Sequence, residues 1–376
     1  MIYEHVYNTA FSLAKRAKKL YLTKALEREE QDHLQSIGLD GWSREDRKDA
    51  YREEVLPYWK KFGIVPKRFW FELYGSRDHR MDPRFLPADL YFTQILPYIN
   101  DGLQRPGLMN KAYLEYLFHD VKQPQTVALK IEGTYYNENR IIIREDDAIG
   151  LCLERDTELF VKVSVGSSGG RGIFVFTPSE CSHEDIQRRF REAGANFIVQ
   201  ERIRQQPLLD SLNPASVSTI RVLSLLMDDQ VYVESAALRI SAPDTPFVKI
   251  YDGGFSTEIL EGGKLHPRIY SDNGKWFDNG NGLFDEGFAV PSMDKIYDEV
   301  RRVHPRMGHF RCIGWDFAVD WNGDPVLIEL NVFPSLGCTQ ITRCKPIFNE
   351  RTDWILEDCL LRRTWEKNHR QNVLIQ

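Results

Sequence analysis

The sequence contains 376 residues, of which 42% are hydrophobic and 12% aromatic, enough for two or three subdomains with sizeable cores. Its 49 basic and 55 acidic residues give a formal net charge of −6 and are well mixed, which argues against an electrostatic nucleic-acid binder. The N-terminal segment lacks the apolar stretch of a secretory signal, and no run is long enough to span a bilayer. We therefore expect a cytoplasmic protein without membrane insertion.

The six cysteines are scattered and include no CxxC pair, so free thiols are expected rather than disulfides or a zinc site. Residues 1–108 are predicted to form a helical N-terminal region. Stretches such as AKRAKKLYLTKALEREEQDHLQ and SREDRKDAYREEVLPYWKKFG indicate two or three amphipathic helices, followed by proline-punctuated loops and a short helix. A further helix is predicted to begin near Asn110.

From about residue 125 the pattern changes to short strands separated by turn signals. Candidate strands are TVALKIEGTYY, RIIIRE, LFVKVSV, GIFVF, NFIVQERI, TIRVLSLL, VYVESAALRI and FVKIYDGG. Helices are predicted at HEDIQRRFREAG, at MDKIYDEVRRVH and through RTDWILEDCLLRRTWEKNH. Hairpins with interspersed helices predict an α+β fold rather than a parallel βαβ series.

A glycine-rich loop joins two of the candidate strands, in the segment FVKVSVGSSGGRGIFVF at residues 160–176. Such a loop can turn its backbone N–H groups toward an anion and close over it. It is not a Walker loop, because no GK[ST] opens a helix after it, nor a dinucleotide fingerprint, because a strand follows. Lys162, on the incoming strand, would supply a charge for phosphate oxygens. The alternative is a flexible hairpin tip with a snorkelling lysine.

Two weaker signals lie farther along the chain. The strand NFIVQERI ends at Gln200–Ile203, where exposed backbone groups can read the edge of an adenine ring; an ordinary strand end is the alternative. Arg221 interrupts TIRVLSLL, and Arg239 lies in AALRI. An arginine on a strand face can clamp phosphoryl or oxyanion charge, although a salt-bridged or exposed arginine is commoner.

The segment CIGWDFAVDWNGDPVLIELN, residues 312–331, is predicted to form a hairpin. Asn322-Gly323 is typical of a two-residue type I′ turn, which would place Asp316 opposite Glu329, with Asn331 on their face. The other face would bury Trp315, Phe317, Val319, Val326, Ile328 and Leu330. Opposed carboxylates repel unless a cation lies between them, and oxygen ligands suit Mg²⁺. The alternative is a solvated acidic face.

Taken in order, these elements resemble the ATP-grasp superfamily of ligases, and more narrowly the sugar-transfer-associated ATP-grasp family found among bacterial surface-polysaccharide genes. The segments that carry the resemblance lie within residues 80–345 and are DPRFLPADLY, LMNKAYLEYLF, FVKVSVGSSGGRG, LNPASVSTIRVLSLL and IGWDFAVDWNGDPVLIELNVFPSLG. The resemblance implies an α+β ATP-grasp fold, with two subdomains that grip ATP. Residues 109–203 would include the glycine-rich lid, and residues 204–376 the metal-binding subdomain and C-terminal helix.

The resemblance also implies roles for individual residues. Lys111 and Lys162 would bind the phosphates of ATP, and the main chain of Glu201 and Ile203, next to Gln200, would meet adenine. The lid would use Gly166, Ser167, Ser168, Gly169 and Gly170. One or two Mg²⁺ ions would be held by Asp316, Glu329 and Asn331, while Arg221 and Arg239 would face the γ-phosphate and acyl group. The ribose-binding residue stays open between Asp210 and Thr219.

The implied function is an ATP- and Mg²⁺-dependent carboxylate–amine ligase that works through an acyl phosphate in bacterial cell-surface polysaccharide biosynthesis. Its partners would be a small-molecule carboxylate and an amine; by analogy the acceptor would be a uronic or amino sugar on a nucleotide- or lipid-linked glycan. Two alternatives stay open. One is a phosphotransferase that moves the γ-phosphate to a hydroxyl, and the other is an inactive scaffold that partners a glycosyltransferase.

Overall fold

The computed structural model describes residues 2–165, 172–242, 254–271, 274–278, 282, 284, 285 and 287–362, without the side chains of residues 2–16, 18, 19, 337 and 338. The chain divides into two compact units. One comprises residues 1–101, 274–276 and 335–376, and the other comprises residues 102–273 and 277–334. The domain boundaries after residues 108 and 203 stay predictions.

The first unit is built from helices. They are α1 (Ile2–Ile37), α2 (Arg44–Ala50), a π-helical turn (Tyr51–Val55), α3 (Leu56–Lys60), α4 (Arg68–Tyr74), α5 (Ala88–Leu90), a second π-helical turn (Tyr91–Ile95), α6 (Leu96–Ile99), α13 (Leu336–Arg343), a 3₁₀ turn (Asn349–Arg351), α14 (Thr352–Leu356) and a π-helical end (Glu357–Arg362). Large aromatic side chains form its core, and Trp59, Trp70, Phe71 and Tyr74 are fully buried. The predicted helical character of the N-terminal region is confirmed.

The second unit contains an antiparallel six-stranded sheet in the order β3-β2-β1-β6-β4-β5. The strands are β1 (Thr126–Ile131), β2 (Thr134–Asn137), β3 (Ile142–Ile143), β4 (Leu159–Val163), β5 (Ile173–Phe176) and β6 (Phe197–Glu201). Helices α9 (Glu145–Leu153) and α10 (His183–Ala193) cover one face, where Phe190 packs on Phe197. Because alternate strand residues point to opposite faces, Lys162 and Gln200 share the face that these helices leave uncovered.

A seven-stranded sheet has the order β11-β10-β9-β8-β7-β12-β13. Its strands are β7 (Thr219–Met227), β8 (Gln230–Ile240), β9 (Phe255–Glu258), β10 (Arg268–Ser271), β11 (Lys275–Asp278), β12 (Cys312–Val319) and β13 (Pro325–Asn331). One face packs against the amphipathic helix α12 (Met293–Val303) and forms the largest apolar core of the unit, around Trp315 and Phe317. The opposite face carries the polar side chains of alternate positions.

Short helices connect these sheets. They are α7 (Arg105–Leu108), α8 (Leu114–Leu117), α11 (Pro207–Asp210) and the 3₁₀ turns Lys111–Tyr113, Pro178–Glu180, Glu261–Gly263 and His304–Met307. Helices combined with two antiparallel sheets confirm the α+β class. The predicted strand FVKIYDGG and the end of the predicted C-terminal helix fall almost wholly outside the described residues. Within the described part, none of the helices is apolar over enough length to cross a bilayer.

The predicted turn of the last hairpin is wrong. Gly323 N–H donates to Asp320 O at 2.9 Å, and Asp320 N–H donates to Asp324 O at 3.0 Å, so three residues form the loop. Gly323 has a φ of +79°, whereas Asn322 is not among the residues with positive φ. This is a type I turn with a left-handed glycine, not a type I′ turn. The Asp320 carboxylate stabilises it by accepting the N–H groups of Asn322 and Asp324 at 3.0 and 2.9 Å.

A bulge restores the predicted pairing farther from the turn. Phe317 pairs with Leu327, but Asp316 pairs with Glu329, so Ile328 is an extra residue on β13. The predicted opposition of Asp316 and Glu329 is therefore confirmed, although by two compensating shifts. Of the predicted buried set, Trp315, Phe317, Val319, Val326 and Leu330 are buried, whereas Ile328 is only half-buried. The bulge places Leu327 rather than Val326 on the face of Phe317.

A buried hydrogen-bond chain crosses the core behind the polar face. Trp315 Nε1–H donates to Ser224 Oγ at 2.7 Å, and Ser224 Oγ lies 2.7 Å from His304 Nδ1. His304 Nε2 lies 3.0 Å from Phe310 O, so Nε2 carries the proton and Nδ1 accepts from the serine. The Ser224–His304 pair is fully buried. Because no substrate can reach the serine, the pair contributes to the packing of the core and is not a nucleophile.

Burial lowers the pKa of His304 to about 4, against an ordinary value of 6.5. The stability contributed by the neutral imidazole is complete above pH 6.5 and is lost as pH falls toward 4. We expect the wild type to lose about 3 kcal/mol more free energy of unfolding over this range than His304→Gln, which cannot titrate. Urea titrations at several pH values measure the difference. Equal losses in the two proteins would show that His304 is not held neutral.

Candidate functional site

One row of side chains crosses the polar face of the seven-stranded sheet. Glu329 on β13 pairs with Asp316 on β12, which also pairs with Arg221 on β7. Arg221 in turn pairs with Ala237, and Ala237 with Glu258. Because residues paired in register share a face, the charged members of this row lie side by side. Arg239 lies two residues beyond Ala237 on the same face.

Arg221 and Asp316 form a buried, two-point ion pair. Arg221 Nε lies 2.5 Å from Asp316 Oδ1, and Nη2 lies 2.6 Å from Oδ2. Arg239 Nη1 lies 3.8 Å from Asp316 Oδ1. Burial acts to raise the pKa of Asp316, but the charge and hydrogen bonds of Arg221, with Arg239 and Lys111, hold that pKa below its usual range. The carboxylate thus stays ionised and orients both arginines.

Gly314 makes room for this pair. A Cβ at this position would meet Arg221 Nη1 at 3.0 Å, Arg221 Cδ at 3.3 Å and Pro334 Cβ at 3.3 Å. The guanidinium therefore crosses the strand where a side chain is missing. Sequence reasoning missed both Gly314 and Glu258: Gly314 lies in a segment of the resemblance without a role of its own, and Glu258 lies outside those segments. Their importance follows only from the strand register.

Lys111 and Glu329 form a second ion pair beside the first. Lys111 Nζ lies 3.2 Å from Glu329 Oε1, with the lysine largely buried and the glutamate partly exposed. Lys111 N–H donates to Ser164 O at 3.1 Å, which fixes the start of the 3₁₀ turn against the end of β4. The protein thus supplies counter-charges for both carboxylates: Arg221 and Arg239 for Asp316, and Lys111 for Glu329.

Lys162 reaches the same group of charges from the six-stranded sheet. Its Nζ donates to the Gln200 side-chain oxygen at 2.9 Å. Burial lowers the pKa of Lys162 to about 8; Glu329 opposes this shift, and Lys111 adds to it. An ammonium group that is desolvated beside another lysine would be stabilised by an anion. The side chain of Gln200 therefore contacts Lys162, in addition to its position near the end of β6.

The backbone N–H groups of the segment after β6 differ in their partners. Glu201 N–H donates to Gln125 O at 2.9 Å, and its carboxylate lies 3.1 Å from Arg155 Nε. Arg202 N–H donates to Glu158 O at 2.9 Å. Ile203 N–H makes no backbone hydrogen bond to any residue that the structure describes. This arrangement is compatible with the predicted reading of an adenine edge at Ile203.

Most of the predicted lid lies outside the described residues. This includes Gly166, Ser167, Ser168, Gly169 and Gly170. The flanks are described: Val163 N–H donates to Gly172 O at 2.9 Å, and Gly172 has a φ of +74°. This backbone hydrogen bond therefore closes the base of the hairpin directly beyond Lys162.

The donors suggested for a metal are all oxygen atoms, which suits Mg²⁺. Both Asp316 oxygens accept from Arg221 and one Glu329 oxygen faces Lys111, yet a carboxylate has about four acceptor sites. Asn331 Oδ1 accepts Phe333 N–H at 2.8 Å and retains one lone pair. The donor set therefore fits Mg²⁺. Among the described residues, no group of three or more His, Cys, Asp or Glu side chains forms a metal cluster.

A model of the sugar-transfer associated ATP-grasp family matches residues 93–353. Similar solved structures include D-alanyl-alanine synthetase A from Vibrio cholerae (15% identity, TM-score 0.42, covering 68% of this chain and 64% of that one). A second is the VanG D-Ala:D-Ser ligase from Enterococcus faecalis (15% identity, TM-score 0.41, covering 68% of this chain and 61% of that one). A third is an L-amino acid ligase from Bacillus licheniformis (12% identity, TM-score 0.40, covering 67% of this chain and 48% of that one). The match spans less than two thirds of each of these solved chains. No curated protein matches the sequence.

The two carboxylates should differ in their contribution to stability. Asp316→Asn leaves two arginines without their counter-charge and should lower the free energy of unfolding by about 3 kcal/mol in metal-free buffer. Glu329→Gln disrupts a partly exposed pair and should cost about 1 kcal/mol or less. Urea denaturation of both variants measures the difference. If Asp316→Asn proved as stable as Glu329→Gln, Asp316 would not be the counter-charge of the arginines.

Proposed function

The chain belongs to the sugar-transfer-associated ATP-grasp family, and on that premise we propose that it is an ATP-dependent ligase that joins a carboxylate to an amine. One observation carries the proposal. Four cationic side chains, those of Lys111, Lys162, Arg221 and Arg239, gather at Asp316 and Glu329, so these six predicted residues carry a net charge of +2, or +1 with the neighbouring Glu258. Such a cluster suits a polyphosphate anion and the charge that develops during phosphoryl transfer.

The two lysines supply the phosphate contacts in this proposal. Lys162 stands at the base of the glycine-rich hairpin, and Lys111 is held against the same strand end by its bond to Ser164 O. Their mutual repulsion and the desolvation of Lys162 are relieved when an anion binds. The loop at residues 166–171 would exclude water from the reacting groups.

The arginines act at the other end of the transferred group. A carboxylate oxygen of the substrate attacks the γ-phosphorus, ADP leaves, and an acyl phosphate results. The amine nitrogen then attacks the acyl carbon, phosphate departs, and the ammonium loses a proton to give the amide. Arg221 and Arg239, oriented by Asp316, would stabilise the negative charge on the phosphoryl and carbonyl oxygens.

Asp316, Glu329 and Asn331 would hold one or two Mg²⁺ ions, which neutralise charge on the β- and γ-phosphate oxygens when bound. Ile203 N–H and the main chain of Glu201 would meet the adenine edge. Either Asp210 or Thr219 would contact the ribose. We further propose that the acceptor is a uronic or amino sugar on a nucleotide- or lipid-linked glycan in cell-surface polysaccharide biosynthesis; the family description supports an association with sugar transfer.

The reaction class is tested with hydroxylamine as a general amine. Incubating the protein with ATP, Mg²⁺ and panels of amino acids and uronic or amino sugars should release ADP and form a hydroxamate from the activated carboxylate. Lys162→Ala serves as the impaired control. ADP release without hydroxamate would replace the ligase by a phosphotransferase. Absence of ATP binding in calorimetry with Mg²⁺ would indicate an inactive scaffold.

Lys162→Ala should weaken ATP binding at least tenfold, about 1.4 kcal/mol, because it removes a desolvated cation from the phosphate site. Thermal stability should change little, since the lysine makes one neutral hydrogen bond, to Gln200. The matched control is Lys130→Ala. Lys130 lies on the opposite face of the same sheet, over Tyr135 and Phe197. Equal ATP affinity in Lys162→Ala and Lys130→Ala would contradict the role of Lys162.

A further inference from the structure

Among the residues of α1 whose side chains the structure describes, those that pack on its own unit lie on one face of the C-terminal half. The partly buried positions are residues 23, 26, 27, 30, 33, 34 and 37, which recur at intervals of three and four. They face α4 and α5, and Glu27 forms an ion pair with Lys67 at 2.5 Å. This face accounts for the attachment of the helix to the rest of the unit.

The N-terminal half of α1 carries a second apolar stripe, at different positions. The stripe consists of Ile2, Tyr3, Val6, Tyr7, Ala10, Leu13, Ala14, Ala17, Leu20 and Tyr21. At 100° per residue, the centre of the stripe lies about 150° around the helix axis from the packing face. An apolar stripe of this length, at helical positions away from the packing face, is typical of a surface that binds a partner.

The described end of the stripe is open to solvent. Leu20 is 57% exposed and Tyr21 77% exposed, and Ala17 is also exposed. Leu22, outside the stripe, is 36% exposed. Two large apolar side chains are therefore open to solvent at the described end of the stripe.

Positive charge accompanies the apolar stripe. Residues 5–26 contain five cations and no acidic residue, although the whole chain has a net charge of −6. The cations are Lys15, Arg16, Lys18, Lys19 and Lys24, and the first four occupy positions outside the stripe. An apolar face with a basic opposite side is typical of helices that lie in the interface of a membrane.

We propose that the N-terminal half of α1 is a docking surface for an anionic lipid bilayer. The helix would lie parallel to the surface, with Leu20 and Tyr21 in the headgroup region and the cations attracted to lipid phosphates. Pairing with α1 of a second copy is less favourable, because it would bring five cations against five. The stripe covers one side only, so the helix would bind the surface without crossing it.

The test is flotation of the full chain with vesicles of phosphatidylcholine alone or mixed with phosphatidylglycerol. The wild type should float with the mixed vesicles, much less with phosphatidylcholine, and less at high salt. The double variant Leu20→Glu with Tyr21→Glu should bind at least about tenfold more weakly, since it removes apolar area and adds negative charge. Val65→Glu is the matched control, because Val65 is 80% exposed in the same unit.

Circular dichroism and thermal melting establish that the variants remain folded, and sedimentation velocity reports their oligomeric state. Equal flotation of the double variant and Val65→Glu would overturn the proposal. So would failure of the wild type to bind mixed vesicles, or a dimer that the double variant dissociates. ATP binding is independent of these outcomes, so failure here leaves the proposed ligase function intact.

Discussion

The buried pair between Arg221 and Asp316 determines the chemistry of the polar face of the seven-stranded sheet. Its two parallel contacts stabilise the ionised carboxylate of Asp316, which burial alone would disfavour. The same carboxylate also lies close to Arg239. The pair depends on an unusual neighbour, since Gly314 provides the space that the guanidinium crosses. A buried charge without its partner lowers the stability of the fold, so the other residues of the row must accommodate both members of the pair.

The two sheets of the second unit contribute different charged residues to the candidate site. The seven-stranded sheet supplies carboxylates that are already paired, and the six-stranded sheet supplies Lys162, whose charge is only weakly compensated. The surplus is positive, and this favours a phosphate-bearing ligand over a bare cation. In the proposed function, Asp316, Glu329 and Asn331 would therefore hold magnesium together with a phosphate-bearing ligand rather than form a metal site by themselves.

Helix α1 combines a packing face with the proposed docking surface. Its packing face and its apolar stripe occupy different sides and different halves, so neither compromises the other. The segregation of five cations into residues 5–26 of an acidic chain adds an electrostatic preference to the apolar one. The proposed docking surface lies in the first unit, whereas the proposed chemistry depends on residues of the second.

The sequence alone determined the helical and strand segments and the α+β class, because alternation and turn residues act locally, and it predicted the opposition of Asp316 and Glu329. Even there, Asn322-Gly323 predicted the wrong turn, and a bulge at Ile328 compensated for it. Which cation meets which carboxylate was decided only by tertiary structure. Arg221 and Asp316 are 95 residues apart, and Lys162 and Gln200 are 38 apart. Such pairings arise when strands distant in the chain become neighbours, and local propensity carries no information about them.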